Sequence, residues 1–242
     1  MKTTLSMSLR WRTFFLPKGG NRADELEDAA AAEPGNGLFA VADGASESIC
    51  ADVWAQLLVA AYIAGPPDVA AWQGWLAPVR RRWWDDVRAR SLSWPAEHKL
   101  AEGASATLLG VQIQPAATWS AIAIGDSCLF QVRGGELIVE FPISRSDRFD
   151  NQPPLVATRA MPGEPEPLMI QGTWQPGDQF WLMTDALAQW FLKEAESQRA
   201  PGPQLEQLLE SASPQAQSAL IADWRQTRLL RNDDVALVRI ET

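Results

Sequence analysis

The sequence lacks the features that mark a membrane or secreted protein. None of its apolar stretches approaches the roughly 18 residues that a membrane-spanning helix requires. Residues 1–15 alternate polar or charged residues with apolar ones, so they lack the continuous apolar core of a signal peptide. We therefore expect a cytoplasmic protein that does not bind a membrane.

Cysteine and histidine are also scarce. The chain of 242 residues has 2 cysteines, and Cys50 and Cys128 stand in no metal-binding spacing. They fall in different predicted elements, so we expect two buried free thiols rather than a disulfide. His98 is the 1 histidine, and we expect it at the surface or on a helix.

Positive charge is in deficit. The 21 lysines and arginines stand against 30 aspartates and glutamates, which gives a net charge of −9. This balance argues against a nucleic-acid surface. A protein of this charge that binds an anion must supply positive charge locally, and a bound metal ion can supply it.

Hydrophobic patterning predicts the strands. Leu9, Trp11 and Phe15 alternate with polar residues, which predicts a half-buried first strand that begins near Leu5. Residues 142–177 are rich in proline and predict a long loop with one short strand near residues 168–170. Further apolar runs predict strands at residues 37–42, 107–113, 119–124, 129–132, 137–141, 179–184 and 235–240.

Helices are predicted on both sides of this run of strands. Residues 49–61 have one apolar face and can be capped by Ser46 or Ser48. The pattern continues over residues 72–87, where Pro78 should kink or break the helix. Residues 185–196 and two later segments up to Leu230 complete the helices. This order predicts an α+β fold of two packed antiparallel sheets with helices outside, in a single domain over residues 1–242.

Several aspartates interrupt or end apolar runs. Asp43 follows LFAVA, Asp126 follows AIAIG and Asp185 follows FWLMT, whereas Asp233 and Asp234 precede VALVRI. A carboxylate at the end of a buried strand is costly unless it has a cation or strong donors, and a shared metal ion would satisfy several at once. Asp185 can instead cap the following helix, and Asp234 can be a turn residue.

The order of these motifs resembles the type 2C metal-dependent protein phosphatases. The similarity runs from about residue 18 to the C-terminus. The matching stretches are residues 26–29 (LEDA), 39–44 (FAVADG), 103–107 (GASAT), 125–127 (GDS), 182–185 (LMTD) and 233–238 (DDVALV).

The resemblance implies a four-layer αββα sandwich that hydrolyses phosphoserine or phosphothreonine. A binuclear Mn²⁺ or Mg²⁺ centre and a bridging water would carry the reaction, on a protein substrate phosphorylated by a serine/threonine kinase. By analogy, Asp43 would bridge the ions and be catalytic with Asp185 and Asp233. The remaining implied positions are the Gly44 carbonyl, Glu27 and Asp28 at the metals, and Asp126 in a supporting role.

The sequence departs from the family pattern near the site. Ala45 stands where many members have a histidine, Ala186 where they have glycine, Cys128 where they have arginine, and Asp234 where they have asparagine. An upstream arginine commonly binds the substrate phosphate, and Arg22 or Lys18 can fill that role or be solvated loop cations. Arginine is favoured because its fork can grip two phosphoryl oxygens.

Two other functions remain open on the sequence. The departures at Ala45, Ala186 and Cys128 are compatible with a catalytically weak or inactive signalling or scaffold domain. A metal-dependent hydrolase of another phosphoester is the third hypothesis. Metal binding separates the first from the second, and substrate preference separates the first from the third.

Overall fold

The computed structural model describes residues 8–90, 100–150 and 152–242. The strands in these residues are β1 (Arg10–Leu16), β2 (Ala29–Glu33), β3 (Leu38–Ala42), β4 (Ser105–Ala106), β5 (Leu108–Gln114), β6 (Thr118–Ile124), β7 (Cys128–Arg133), β8 (Glu136–Phe141), β9 (Val156–Ala157), β10 (Leu168–Thr173), β11 (Gln179–Met183) and β12 (Val235–Glu241). The α-helices in the same residues are α1 (Ala51–Ala64), α2 (Trp72–Arg88), α3 (Asp185–Glu196), α4 (Pro201–Glu210) and α5 (Pro214–Gln226).

The strands form two five-stranded antiparallel sheets. The first sheet has the order β1-β12-β11-β7-β8, and the second has the order β10-β6-β5-β3-β2. A small sheet pairs β4 with β9. None of the helices in the described part of the chain has the length and apolar character needed to cross a membrane.

Three apolar clusters hold four layers together. Trp54 and Trp83 belong to the cluster in which α1 and α2 cover the second sheet. Phe39 and Leu182 lie in the cluster between the two sheets. Trp190 belongs to the cluster in which α3, α4 and α5 cover the first sheet. The predicted α+β fold and its αββα layering are therefore confirmed.

Strand β3 shows how the sequence produces this layering. Every residue of β3 is buried, because its two faces meet different layers. Ala40 packs on the helix side, whereas Phe39 and Val41 pack between the sheets. Successive side chains of a strand point to opposite faces, so an uninterrupted apolar run is what a doubly covered strand requires.

Helix α1 lies close to the second sheet at a glycine. A Cβ atom at Gly110 of β5 would lie 2.3 Å from the Tyr62 ring of α1. The absent side chain makes room for the ring, which is itself buried. Glycine at this position therefore sets how closely α1 packs on β5.

The first strand exists, but its predicted buried face is wrong. Leu5 lies outside the described residues, and β1 begins at Arg10. Phe14 is buried, whereas Trp11 and Phe15 are 42% and 38% exposed. The reason is that β1 is an edge strand, so its inter-sheet face is only partly covered.

The sequence patterns missed three strands, β2, β4 and β9, of which β4 has only two residues. Strand β2 has the sequence AAAAE, and alanine has little intrinsic strand preference, so its pairing with β3 defines it. Strand β9 has only two residues and lies in the predicted proline-rich loop. Strand β10 confirms the short strand predicted near residues 168–170.

The structure corrects two predictions about the helices, one on the cap of α1 and one on Pro78 within α2. Neither Ser46 nor Ser48 caps α1, because Cys50 occupies the cap position and Ser48 Oγ accepts a hydrogen bond from the Ser105 amide. Pro78 does not break α2, which continues through it.

The sequence also made predictions about the two cysteines and the histidine. Cys50 and Cys128 are free thiols, as predicted, although only Cys128 is buried and Cys50 is half-buried. His98 lies outside the described residues.

Candidate metal centre

The aspartates predicted from the sequence lie where strands of both sheets end. Asp43 follows β3 in the second sheet, and Asp126 lies in the turn from β6 to β7. Asp185 is the first residue of α3 after β11, and Asp233 lies two residues before β12. Asp28 directly precedes β2. Both sheets therefore contribute carboxylates to one end of the sandwich.

These carboxylates are close enough to oppose one another's ionisation. Burial, and then the charges of Asp28, Asp185, Asp126 and Asp233, raise the pKa of Asp43 well above its usual range. Burial is also the main reason that the pKa of Asp28 is strongly raised, while its hydrogen bond from Thr184 has the opposite effect. The cluster holds negative charge that no nearby positive charge fully offsets.

The pKa values of Asp126 and Asp185 are raised as well. Burial, with the charge of Asp185, raises the pKa of Asp126 to about 7. Burial also raises the pKa of Asp185, but the Arg231 guanidinium works against it. Asp185 is not the cap of α3 that the sequence allowed, because Thr184 occupies that position.

The donor atoms suit a hard divalent cation. Within the described ranges, one carboxylate oxygen each of Asp28, Asp126 and Asp185 is buried without a hydrogen-bond partner. Buried acceptors without a donor are costly, and oxygen-only donor sets are the kind that Mg²⁺ and Mn²⁺ prefer. As arranged, no group of three or more histidine, cysteine, aspartate or glutamate side chains in the described ranges could hold an ion. The residue types fit a metal, therefore, but the side chains are not gathered around one.

The missing side chain of Gly44 lets its backbone lie close to the Glu27 carbonyl. A Cβ atom there would lie 2.8 Å from the Glu27 carbonyl oxygen and 3.0 Å from Ala51. Gly44 is buried and forms an isolated bridge with Ala106. A side chain at this position would push apart the segments that carry Asp43 and Asp28.

Two threonines hold the aspartates in place, and the sequence reasoning gave them no role. Thr107 Oγ1 accepts a hydrogen bond from the Asp43 amide at 2.9 Å, and the Thr107 amide donates to the Asp43 carbonyl at 2.8 Å. Thr184 Oγ1 donates to Asp28 Oδ2 at 2.8 Å and accepts from the Ala236 amide at 2.9 Å. Both threonines lie within the sequence motifs that suggested the site. Their place in those motifs was the one signal that could have identified them.

Asp234 joins two segments near the site instead of facing it. Its Oδ1 accepts from the Lys18 amide at 2.7 Å, and its Oδ2 accepts from the Glu27 amide at 2.8 Å. The carboxylate is buried, and both of its oxygens are used. Asp234 is therefore a brace between the start of β12 and the segment before β2, not a simple turn residue.

Two arginines next to the site were missed by the sequence reasoning. Arg225 donates to the carbonyls of Pro17 at 3.0 Å and Asp233 at 2.6 Å. Arg231 donates to Asp185 Oδ2, and its Nη2 lies 3.2 Å from Asp233 Oδ2. The position of Arg231, two residues before Asp233, was the only hint that the sequence offered.

The two predicted phosphate-binding cations lie in different surroundings. Lys18 Nζ lies 3.4 Å from Ser46 Oγ and 3.9 Å from Glu27 Oε2. These residues line a cavity of about 340 Å³. The Arg22 side chain is 76% exposed and pairs with Asp24 at 2.6 Å. The structure therefore brings Lys18, and not Arg22, to a carboxylate of the predicted site.

Glu27 is half-buried, and its side chain is 21% exposed. Burial is the largest cause of its raised pKa, and the charges of Asp234 and Asp52 add to it. The hydrogen bond to Ser46 and the charge of Lys18 oppose this change.

Comparisons with known proteins identify the family and the fold. A protein-family model described as protein phosphatase 2C matches residues 17–225. No curated protein matches the sequence significantly. Many solved structures share its fold.

Three of these solved structures combine low sequence identity with nearly complete coverage. PppA, a key regulatory component of T6SS in Pseudomonas aeruginosa, is 22% identical with a TM-score of 0.57, over 97% of this chain and 98% of that one. The Mycobacterium tuberculosis serine/threonine phosphatase PstP/Ppp is 19% identical with a TM-score of 0.61, over 96% and 98%. A PstP catalytic domain in complex with two manganese ions is 21% identical with a TM-score of 0.60, over 96% and 97%.

Proposed function

Because the chain belongs to the protein phosphatase 2C family, we propose that it is a metal-dependent serine/threonine protein phosphatase. Its substrates would be proteins carrying phosphoserine or phosphothreonine, produced by a serine/threonine kinase. Its cofactors would be two or more Mn²⁺ or Mg²⁺ ions. The proposed site of action is the cytoplasm.

One observation supports the proposal above the others. Strand-end aspartates from both sheets raise one another's pKa, and three of them keep a buried oxygen without a donor in the described ranges. Such a cluster costs stability unless a cation joins it. A bound divalent cation would remove this cost.

The residues proposed to hold the ions follow the family pattern. Asp43 would contact both ions, with the Gly44 carbonyl beside it. Asp185 and Asp233 would complete one ion's ligands, and Glu27 and Asp28 would lie at the other ion or its waters. When bound, the ions would lower the pKa of a water molecule and neutralise the phosphoryl oxygens.

The chain's own residues would orient this machinery. Thr107 fixes the Asp43 backbone, and Thr184 fixes Asp28. Asp126, in the β6–β7 turn, would support the metal site through hydrogen bonds, as its place in the family pattern implies. Lys18 is the better-placed cation for a substrate phosphate, and Ala45 cannot protonate a leaving group. That proton must therefore come from water or from another residue.

Hydrolysis assays test the proposal. Purified protein should hydrolyse a phosphothreonine peptide in Mn²⁺ or Mg²⁺ and lose the activity in EDTA. Asp43→Asn should lower kcat by about 10² or more, because it weakens the grip on both ions while the fold is kept. Asp86→Asn on α2 makes the same chemical change away from the cluster and serves as the control.

Substrate comparison separates the proposal from a broader hydrolase. An aryl phosphate such as p-nitrophenyl phosphate should be hydrolysed less efficiently than the phosphopeptide, as judged by kcat/KM. The reverse order would favour a hydrolase of small phosphoesters.

A non-catalytic signalling or scaffold domain is the second candidate. It is favoured by the ion pair of Arg231 with Asp185 and Asp233, and by the lack of a metal-ready group in the described ranges. A folded protein without metal-stimulated hydrolysis of any phosphoester would support this function instead.

A further inference from the structure

Arg231 lies among the carboxylates of the candidate metal centre. Its Nη2 donates to Asp185 Oδ2 and lies 3.2 Å from Asp233 Oδ2. A single guanidinium nitrogen therefore contacts both of the carboxylates that would complete the ligands of one ion. The chain itself therefore supplies one positive charge to these two aspartates.

The pair is partly shielded from solvent. The side chain of Asp185 is 12% exposed, and that of Arg231 is 35% exposed. Because the Asp185 side chain is largely buried, its contact with Arg231 is screened less than a surface ion pair, whereas the Asp233 side chain is 39% exposed and its contact is screened more.

Little except the carboxylates holds the Arg231 guanidinium. Among the described residues its hydrogen bond goes to Asp185, and its buried Nε has no partner. Arg225 is different, because its two terminal nitrogens are held by the backbone carbonyls of Pro17 and Asp233. Among the described residues, Arg225 is therefore tied to backbone carbonyls, whereas the contacts of Arg231 are with the two carboxylates.

There is also space into which the guanidinium can move. A cavity of about 230 Å³ is lined by Asp150, Pro153, Asp185, Arg231 and Asp233. A long side chain that is released from its carboxylates can turn toward this opening without moving the backbone.

We propose that Arg231 is a built-in counter-cation that occupies the Asp185–Asp233 pair in the metal-free protein and must leave it before a divalent ion binds there. The inference rests on the proposed metal centre. An oxygen that accepts from a guanidinium is not free to ligate a metal, and two cations at one site repel each other.

The proposal predicts two effects of opposite sign. Arg231 stabilises the protein without metal, because it offsets buried negative charge. The same contact weakens metal binding, because an ion must displace it, and such coupling is reciprocal. A residue with a merely structural role would lower stability without improving metal affinity.

Arg231→Gln separates these effects. Calorimetric titration of the metal-free variant with Mn²⁺ should give at least one site about tenfold tighter than in the wild type, within the range usual for coupled sites. Its melting temperature in EDTA should fall by several degrees. Arg82→Gln removes the same charge from the surface of α2 and should change neither value.

A second variant keeps the test informative if Arg231→Gln fails to fold. Arg231→Lys keeps a positive charge but lacks the planar fork that reaches both carboxylates. Its Mn²⁺ affinity should lie between those of the wild type and Arg231→Gln.

The outcomes distinguish this inference from the proposed function. If the wild type binds Mn²⁺ and the two variants bind it equally or more weakly, Arg231 is not a competing cation, and the metal centre stands. If the folded wild type and both variants take up no Mn²⁺, the metal centre itself is wrong, and this proposal is overturned with it.

Discussion

Asp234 and Lys18 show that neighbouring site residues can have separate tasks. The Asp234 carboxylate is occupied by the amides of Lys18 and Glu27. The Lys18 side chain is left to face Glu27 and the cavity beside it. The backbone of Lys18 is thus structural, whereas its ammonium is available to a ligand.

This separation makes the phosphate-binding cation testable. Lys18→Ala keeps the amide that binds Asp234, so we expect the fold to persist. KM for a phosphopeptide should rise several-fold with a smaller change in kcat, as expected when ground and transition states lose the same contact. Steady-state kinetics at fixed ionic strength measure both values.

Arg22→Ala is the matched comparison. Its side chain pairs with Asp24 at the surface, so its loss should change KM less than that of Lys18. A larger effect at Arg22 than at Lys18 would contradict this expectation and show that the loop rearranges when substrate binds.

The single residues differ in how far the sequence could predict them. Asp43, Asp126, Asp185 and Asp233 were identifiable because each lies beside an apolar run. Arg231 was not, because its importance depends on contact with Asp185, a residue 46 positions away. Pairings between distant segments leave no mark in local composition.

At the level of elements, the packing of α1 on β5 depends on one missing side chain. A Cβ atom at position 110 would overlap the Tyr62 ring at 2.3 Å. Gly110→Ala should therefore destabilise the protein by about 1–3 kcal/mol, the usual cost of overpacking a core. Urea denaturation in EDTA measures this change.

Gly74→Ala is the control for that substitution. Gly74 lies in α2 with nothing within 4 Å of an added Cβ. Alanine is the better helix former by about 1 kcal/mol, so this variant should be slightly more stable than the wild type. Equal effects at the two positions would show that Tyr62 moves away without cost.

The sequence predicted those helices and strands whose apolar residues form a continuous pattern on one or both faces. The four strands from β5 to β8 were found because their apolar runs are separated by clear turns. Strand β2 was missed because it consists mainly of alanine, and its partner β3 determines its conformation. The face of β1 was wrong because its position at the sheet edge comes from tertiary structure.

On the scale of the whole molecule, the acidic cluster should make stability depend on pH. The pKa of Asp126 is raised from 3.8 to about 7, and those of Asp28, Asp43 and Asp185 are also raised. A raised carboxyl pKa means that the unfolded chain loses its proton first as pH rises. Stability is then greatest below the unfolded value and falls through the folded one.

We therefore expect the melting temperature of the metal-free protein to fall between about pH 5 and pH 8. Each such proton changes the free energy of unfolding by about 1.4 kcal/mol per pH unit. Asp126→Asn should reduce the slope, and Asp86→Asn on α2 should leave it unchanged. Calorimetry across this range in EDTA provides the measurement, and a rising melting temperature would contradict the prediction.

The sandwich as a whole was predictable because the motif order carried information that no single motif did. Each aspartate could have been a turn or cap residue, yet their succession pointed to one architecture. The sequence could not predict whether Arg231 or a metal ion neutralises Asp185 and Asp233.

The position of β12 has a consequence for how the protein is made. This strand lies between β1 and β11, and it pairs Glu241 with Arg10 across 231 positions of the chain. While the ribosome is still translating the preceding segments, β1 has no neighbour and one edge of β11 is open. The nascent chain must therefore keep two adhesive strand edges apart until the last strand of the fold emerges, and contacts so distant in sequence form slowly. Chaperones that bind exposed strands would have most to do on this protein just before β12 emerges.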